Sequence, residues 1–318
     1  MSNTNFVKAV SLDGGNGWIK FCRGAQTRKI RSVIFELPSY QDEPENLKND
    51  SIFLEYGDRR IIVGELALSM GGIPTYAVTK SEVTEILLMA AIEPTQGSTL
   101  PVEINSLKLC TPDKRESKNI SNLKSLVGTR TYSRNGIDMT LKVNSVTLIE
   151  EGLAAFNYAK NQNLFQFPDK LNAIADFGAG DTSLKLFTST GENLRNAQIR
   201  LEGLYGLAKS IASYLLPKLG KSPDLVLIMD GISNQSFRYG ATDTTFKTEF
   251  DICHQAWLGN LKSKIKESWG QHFPQLGQVL LVGGAASLAM KLAATPDSRF
   301  KLAKNHQYIN ALGMTLEG

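Results

Sequence analysis

One pattern occurs twice and constrains the fold more than anything else in the chain: an apolar strand ending on aspartate, a glycine-rich turn, and a second strand leading away. Its first copy is "SLDGGNGWIKF", residues 11–21, and its second lies in "IADFGAGDTSLKLF", residues 174–187. Glycines let a turn take backbone angles that other residues resist, so that successive N–H groups converge into an anion-binding nest. A bare carboxylate beside such a nest would repel phosphate. Its presence at both turns makes sense if a divalent cation lies between carboxylate and polyphosphate. Taken singly, Asp-x-Gly at a strand end is also the sequence of an ordinary hairpin.

The surrounding pattern repeats as well. The first part reads as strands ("FVKAVSLD", "GWIKFCR", "RKIRSVIFELP"), a hairpin "IFLEYGDRRIIVG" turning at Gly57-Asp58, and a helix over 81–92. A strand "PVEINSLKLC", a polar helix opened near Thr111-Pro112, strands through "DMTLKVNSVTLI" and a helix over 151–161 complete it. After the linker "NQNLFQFPDK" come a hairpin at 171–187, a strand "LRNAQIRL", an amphipathic helix over 203–217, a short buried strand "DLVLIMD" and helical spacing over 244–269. Then "QVLLVGGAASLAMKLAA" reads as strand, glycine turn and helix, and "NHQYINALGMTLEG" as a closing helix. A chain of 318 residues suits two domains or one bilobal unit, and both halves open alike, which is a duplication of architecture without visible sequence identity.

Composition narrows the chemistry. No apolar run approaches the roughly 20 residues of a membrane-spanning helix, and no cationic leader precedes an apolar stretch, so the expected location is the cytoplasm. Cys22, Cys110 and Cys253 are widely spaced and share no metal-ligand spacing with His254, His272 and His306, so neither a disulfide framework nor a structural metal is expected. The adjacent Cys253 and His254 read as a filler thiol beside a surface imidazole. A net charge of +4 does not by itself indicate nucleic-acid binding, and no helix-turn-helix, zinc module or aromatic-basic interleaving is present. The charges are segregated: acids dominate residues 36–58 and bases dominate 108–142. Such segments read as two solvated faces or as complementary patches for head-to-tail association.

Two other phosphate motifs fail. "GLYGLAKS" lacks the glycine directly before the lysine of a P-loop, and "GAGDTS" leads into a strand where a dinucleotide fingerprint needs a helix. The ordered set that remains is Asp13-Gly14-Gly15-Asn16-Gly17 with Lys20, then Glu150-Glu151-Gly152, then Asp176-x-Gly178-x-Gly180-x-Thr182, then "VLLVGGAAS" and finally "INALGM". This set, spread over nearly the whole chain, resembles the actin-type nucleotide-binding fold: two phosphate loops, an adenosine loop and two connecting segments. Within that superfamily the length, "DGGNGWIK", "LPSY" and "YGDRRIIVGELA" resemble the bacterial plasmid-segregation actins of the ParM/StbA group.

The resemblance implies an α/β, duplicated ribonuclease H-like, two-lobed ATPase fold with a central cleft. Lobe I is expected over 1–160 plus 304–318 and lobe II over 161–303. Asp13 and Asp176 would hold Mg²⁺ through water. Lys20 and the amides of Gly15, Asn16, Gly17, Gly178, Ala179 and Gly180 would meet the phosphates of ATP or GTP, and Thr182 would add a hydroxyl. Gly283, Gly284 and Ala285 would leave space for adenine and ribose. Glu151 would orient the attacking water; proline commonly precedes this residue in the group, and Glu150 stands there instead, so the choice between the two carboxylates stays open. Without the resemblance, Glu151 reads as a first-turn acid complementing a helix dipole. The implied function is a filament-forming ATPase, a head-to-tail, double-stranded polymer of this chain that moves plasmid or other DNA through a DNA-binding adaptor of the ParR type. Neither direct nucleic-acid binding nor a membrane is expected. The alternatives are a cytoskeletal scaffold filament without DNA cargo and a small-molecule kinase, for which no separate catalytic base is seen.

Overall fold

The computed structural model describes residues 5–15, 17–24, 26–45, 47–48, 50–75, 80–94, 100–111, 117–294 and 298–316, with backbone alone at 80–82 and 117–119. The chain divides into two compact units, Met1–Tyr158 with Tyr308–Gly318, and Ala159–Gln307. In the first, β1 (Asn5–Gly14), β2 (Trp18–Arg23) and β3 (Gln26–Arg31) form an antiparallel meander. There follow β4 (Val33–Glu36), the hairpin of β5 (Ser51–Tyr56) and β6 (Arg59–Gly64), α1 (Glu65–Ser69), β7 (Ile73–Pro74) and α2 (Lys80–Ala91). The hairpin turns at Gly57, whose φ of 63° is left-handed. Next come β8 (Val102–Thr111), α3 (Ser117–Lys124), β9 (Gly128–Arg134), β10 (Ile137–Val143), β11 (Val146–Glu150) and α4 (Leu153–Asn161). The sheet runs β3-β2-β1-β8-β10-β9-β5-β6-β4-β7, with β11 also on β8. The ten-residue β8 manages both neighbours by pairing β10 at Val102–Ile104 and β11 from Leu107 to Thr111.

The second unit has β12 (Leu171–Phe177), β13 (Asp181–Phe187), β14 (Ile199–Glu202), α5 (Leu204–Leu219), α6 (Leu225–Ser233), α7 (Lys247–Trp269), β15 (Leu276–Val282) and β16 (Phe300–Leu302). Its sheet order is β14-β13-β12-β15-β16. The first three strands are antiparallel, while β12, β15 and β16 are parallel. The path β3-β2-β1-β8-β11 of the first unit has the same order and the same directions. The duplication inferred from the two Asp-x-Gly turns is therefore a duplication of sheet topology. Parallel strands covered on both faces need apolar side chains throughout, and β15, with every residue buried, has them.

The chain returns to the first unit as α8 (Ile309–Leu316). This helix lies against β1 and α4: the Ser11 hydroxyl donates to the Ala311 carbonyl at 2.8 Å, and a Cβ on Gly313 would stand 1.9 Å from the Ala154 carbonyl oxygen. Only glycine permits that approach.

Several expectations are corrected. "DLVLIMD" forms the start of α6 and not a strand; Asp224 caps it by accepting from the Val226 amide at 2.8 Å. A short apolar run is ambiguous between buried strand and buried helix, and the cap decides it. "LRNAQIRL" is a 3₁₀ turn before its strand starts at Ile199, and residues 286–293 form a 3₁₀ helix. The helix expected from 151 starts at 153, because Gly152 takes a φ of 81°. His254 is a buried residue and not a surface imidazole: it lies between Phe250 and Trp257, and its Nε2–H donates to the Leu288 carbonyl at 2.7 Å. Within the basic segment Lys108, Arg130 and Arg134 are buried. Arg130 donates to the Ser125 and Leu126 carbonyls and Arg134 to that of Ala90, so these guanidiniums satisfy helix C-termini and are not part of a solvated face. The opening of the polar helix near Pro112 lies outside the described residues.

Candidate functional site

Asp13 is the last but one residue of β1 and pairs across the ladder with Lys20 of β2. The Lys20 ammonium lies 3.2 Å from Asp13 Oδ2, with both side chains nearly buried. Between them the chain turns at Gly15, where a Cβ would meet the Trp18 carbonyl oxygen at 2.8 Å. Two bonds hold this loop from behind: the Ser32 hydroxyl donates to the Gly15 carbonyl at 2.6 Å, and the Ser32 amide to the Gly17 carbonyl at 3.1 Å. With those carbonyls engaged, the amides of Gly15 and Gly17 meet no acceptor among the described residues. Asn16 lies outside the described residues.

Glu150 ends β11, and Asp13 lies near the end of β1, two strands away across β8; at roughly 4.8 Å per strand they stand about 10 Å apart along one carboxyl edge. Ligands of open α/β sheets bind at this edge. Glu150 is buried and Glu151 half-buried; the latter sits in the turn ahead of α4, its amide bound to the Thr111 carbonyl at 2.9 Å. Glu151 is therefore not a first-turn helix acid. Burial lifts the Tyr308 phenol above its ordinary range while nearby Lys20 pulls it down, and the Cys22 thiol beneath the pair is pushed up to about 11, chiefly by burial. Such a thiol is inert at neutral pH.

In the second unit the loop after β12 is held by a helix. The carbonyls of Gly180, Gly178 and Ala179 accept from the amides of Gly203, Leu204 and Tyr205 at 3.1, 3.2 and 2.8 Å. These amides belong to the N-terminus of α5, where backbone donors have no partner within the helix. The loop thus turns its carbonyls toward the helix, and the amides of Ala179 and Gly180 meet no acceptor among the described residues. The positive end of a 16-residue helix stands behind them. Gly203 is obligatory, since a Cβ there would lie 2.4 Å from the Gly178 carbonyl oxygen. The Thr182 hydroxyl is fully buried and has no hydrogen-bond partner among the described residues.

Gly283, at the end of β15, packs directly on this loop. Its φ is 93°, and a Cβ would meet Asp176 Oδ1 and the Phe177 carbonyl oxygen at 2.4 Å each. His306 fixes the turn, its Nδ1–H donating to the Gly283 carbonyl at 2.8 Å and its carbonyl accepting from the Gly283 amide at 2.8 Å. The Ala285 amide binds the Phe177 carbonyl at 3.0 Å, whereas a Cβ at Gly284 would meet open space. The structure therefore gathers Asp176, Gly178, Ala179, Gly180, Gly283, Gly284 and Ala285 in one unit and Asp13, Gly15, Gly17 and Lys20 in the other.

Ser32, Gly203 and His306 escaped the sequence reading. Only Gly203 left a signal, as a glycine directly before an amphipathic helix; Ser32 and His306 act through chain folding that local sequence does not announce.

Residues 11–153 match the family model described as the N-terminal domain of actin-like proteins. No curated protein sequence gives a significant match. Among solved structures, the apo ParM protein of psk41 is 17% identical with a TM-score of 0.69, covering 98% of this chain and 96% of its own. A 15-stranded ParM filament from Clostridium botulinum gives 15% identity and a TM-score of 0.77, with 98% of both chains covered. The archaeal actin homologue Ta0583 in complex with ADP gives 14% and 0.72, covering 96% of this chain and 97% of its own. Among the described residues no helix is long and apolar enough to cross a membrane.

Proposed function

From the match of residues 11–153 to the N-terminal domain of actin-like proteins and from the actin-like fold, we propose that this chain binds a purine nucleoside triphosphate, ATP in the first instance, hydrolyses it, and assembles into filaments whose lifetime the hydrolysis sets. The observation that carries the nucleotide reading is the loop at residues 178–180, which turns three carbonyls into the start of α5 and leaves two amides that meet no acceptor among the described residues. A half-buried loop built this way favours an anion. Assembly is supported by the filament likeness and by the fold; the polymer is a head-to-tail one of this chain.

Asp13 and Asp176 are the carboxylates that would hold Mg²⁺. No three acids, histidines or cysteines among the described residues are grouped to hold a metal on their own. Two carboxylates fit an ion that arrives with its nucleotide and keeps part of its water. When bound, the ion neutralises charge on the phosphate oxygens. Lys20 exchanges its contact with Asp13 for a phosphate oxygen, and the amides of Gly15, Gly17, Ala179 and Gly180 donate to the others. Gly284 leaves open space for base and ribose. Glu151, half-exposed in its turn, orients the attacking water, while Glu150 is buried behind it. Thr182, whose buried hydroxyl has no hydrogen-bond partner among the described residues, adds that hydroxyl next to the loop.

For the cell we propose a DNA-segregating filament linked to plasmid through a DNA-binding adaptor of the ParR type. Pelleting and phosphate release decide the biochemical part: polymer mass should rise with Mg-ATP and fall with ADP or chelator, and Glu151→Ala should slow phosphate release about 100-fold with nucleotide affinity retained. A Glu151→Ala protein with normal turnover, or no Mg-dependent nucleotide binding in the wild type, would refute this assignment. Plasmid retention that is indifferent to Asp176→Ala would remove the segregation role while leaving the filament.

A further inference from the structure

Strand β3 ends the sheet of the first unit. All six of its residues pair with β2, and among the described residues no strand covers its other edge. Such an edge presents unpaired N–H and C=O groups in register. Beside it lies a cavity of about 370 Å³ with Gln26, Thr27 and Arg28 of β3 on one side and Val7, Val10 and Val102 among its apolar walls. The end of α2 closes it, where Glu93 pairs with Arg28.

Cations outnumber acids along this edge: Glu93 and Glu65 pair with Arg28 and Arg31, and two further cations remain. Arg23 and Lys29 are exposed and have no acidic partner among the described residues; Lys29 instead lies 4.4 Å from the centroid of the Trp18 ring. Arg31 joins the same ring from 5.0 Å and pairs with Glu65. Burial, and after it the neighbouring charges of Lys20 and Arg31, holds the Lys29 ammonium below its ordinary range. Cations on an edge discourage pairing with another cationic strand, so β3 of a second copy is repelled. The same row attracts an acidic one, and a cavity next to an open edge is what side-chain selection in strand addition requires.

We propose that the β3 edge docks an acidic, extended segment of a partner protein, which adds a strand to β3 and places one apolar side chain in the adjoining cavity. Its carboxylates meet Arg23 and Lys29, and its backbone completes the ladder. The docking edge lies outside the nucleotide loops, with Lys29 facing Lys20 across the ladder.

The test uses the full chain and a fluorescent hexapeptide of alternating glutamate and valine, followed by anisotropy. Binding is expected, weakening as salt rises. The double variant Arg23→Glu, Lys29→Glu should weaken it at least about tenfold. An otherwise identical peptide N-methylated at alternate positions should fail to bind the wild type, which tests strand addition without altering the protein. Val102→Phe, filling the cavity, should weaken binding while leaving the salt response. No binding, equal binding of the N-methylated peptide, or indifference to the charge reversal would each overturn the proposal. So would loss of self-assembly by the double variant without peptide, since the edge would then serve a second copy.

Discussion

The two glycine loops follow the same plan and are secured by different means. Each carries aspartate as the last but one residue of its strand, turns through glycine and leaves amides that meet no acceptor among the described residues. The loop after β1 owes its shape to Ser32, through one hydroxyl and one amide. The loop after β12 is fixed by three successive amides of α5, which are backbone groups that no side-chain replacement deletes. A loop held by a side chain is open to a single substitution; a loop held by a helix terminus yields only when the helix is displaced.

Displacing the helix should have the largest effect. Gly203→Ala puts a methyl within 2.4 Å of the Gly178 carbonyl oxygen and 2.9 Å of the Asp181 backbone, atoms that cannot rotate away. A stability loss of about 3 kcal/mol and loss of nucleotide binding are expected, read by denaturant unfolding and by titration with a fluorescent ATP analogue. Unchanged affinity would mean that α5 does not secure the loop. Ser32→Ala is the matching cut in the first unit. It leaves the half-buried Gly15 carbonyl without its donor, at about 1 kcal/mol, and should weaken nucleotide binding about tenfold by loosening the loop. Thr at this position should restore most of the loss, because the hydroxyl and amide both remain.

A titration sharpens the contrast. The second loop rests on Phe177, whose ring meets Trp257 at 5.8 Å, and Trp257 in turn stacks on His254 at 6.0 Å. Burial holds the His254 imidazole below its ordinary pKa of 6.5, against which its bond to Leu288 works only in part; Lys247 and Lys291 lower it further and Asp251 opposes them. The unfolded chain therefore binds a proton that the folded chain resists. Stability from this residue is present above about pH 6.5 and is lost as pH falls below it. The midpoint of thermal unfolding should drop on acidification to pH 5.5, and His254→Asn should shrink that drop. The first loop has no histidine among the described residues of its unit, so its melting should not share the dependence.

How much of this was legible beforehand differs between backbone and side chain. The Asp-x-Gly turns, the hairpins and the order of loops are written in local sequence, because φ freedom and strand alternation are properties of neighbours along the chain. The ambiguous run at 224–230 misled because burial on all sides erases periodicity, leaving the Asp224 cap as the deciding signal. Arg130 and Arg134 looked solvated because charge patterning counts residues without knowing which helix carbonyls await them. Ser32 was invisible for a related reason: its partners Gly15 and Gly17 lie across a strand pairing, and nothing within a few residues of Ser32 distinguishes it from any serine at a strand junction.

The smallest expected effect concerns the ion pair at the rim of the second loop. Arg200 lies 2.9 Å from Asp181, the residue that closes the turn, and the contact suggests that charge shapes this loop. Exposure argues otherwise: the Arg200 side chain is 60% exposed, so water and salt screen the attraction and the pair contributes at most about 0.5 kcal/mol. What Asp181 supplies to the turn is its carbonyl, which accepts from the Gly178 amide at 2.9 Å and is untouched when Arg200 is removed. Arg200→Ala should therefore leave the unfolding midpoint and nucleotide affinity nearly unchanged. A loss as large as that of Ser32→Ala would place the Asp181 carboxylate among the groups that set the loop, and both loops would then depend on a side chain.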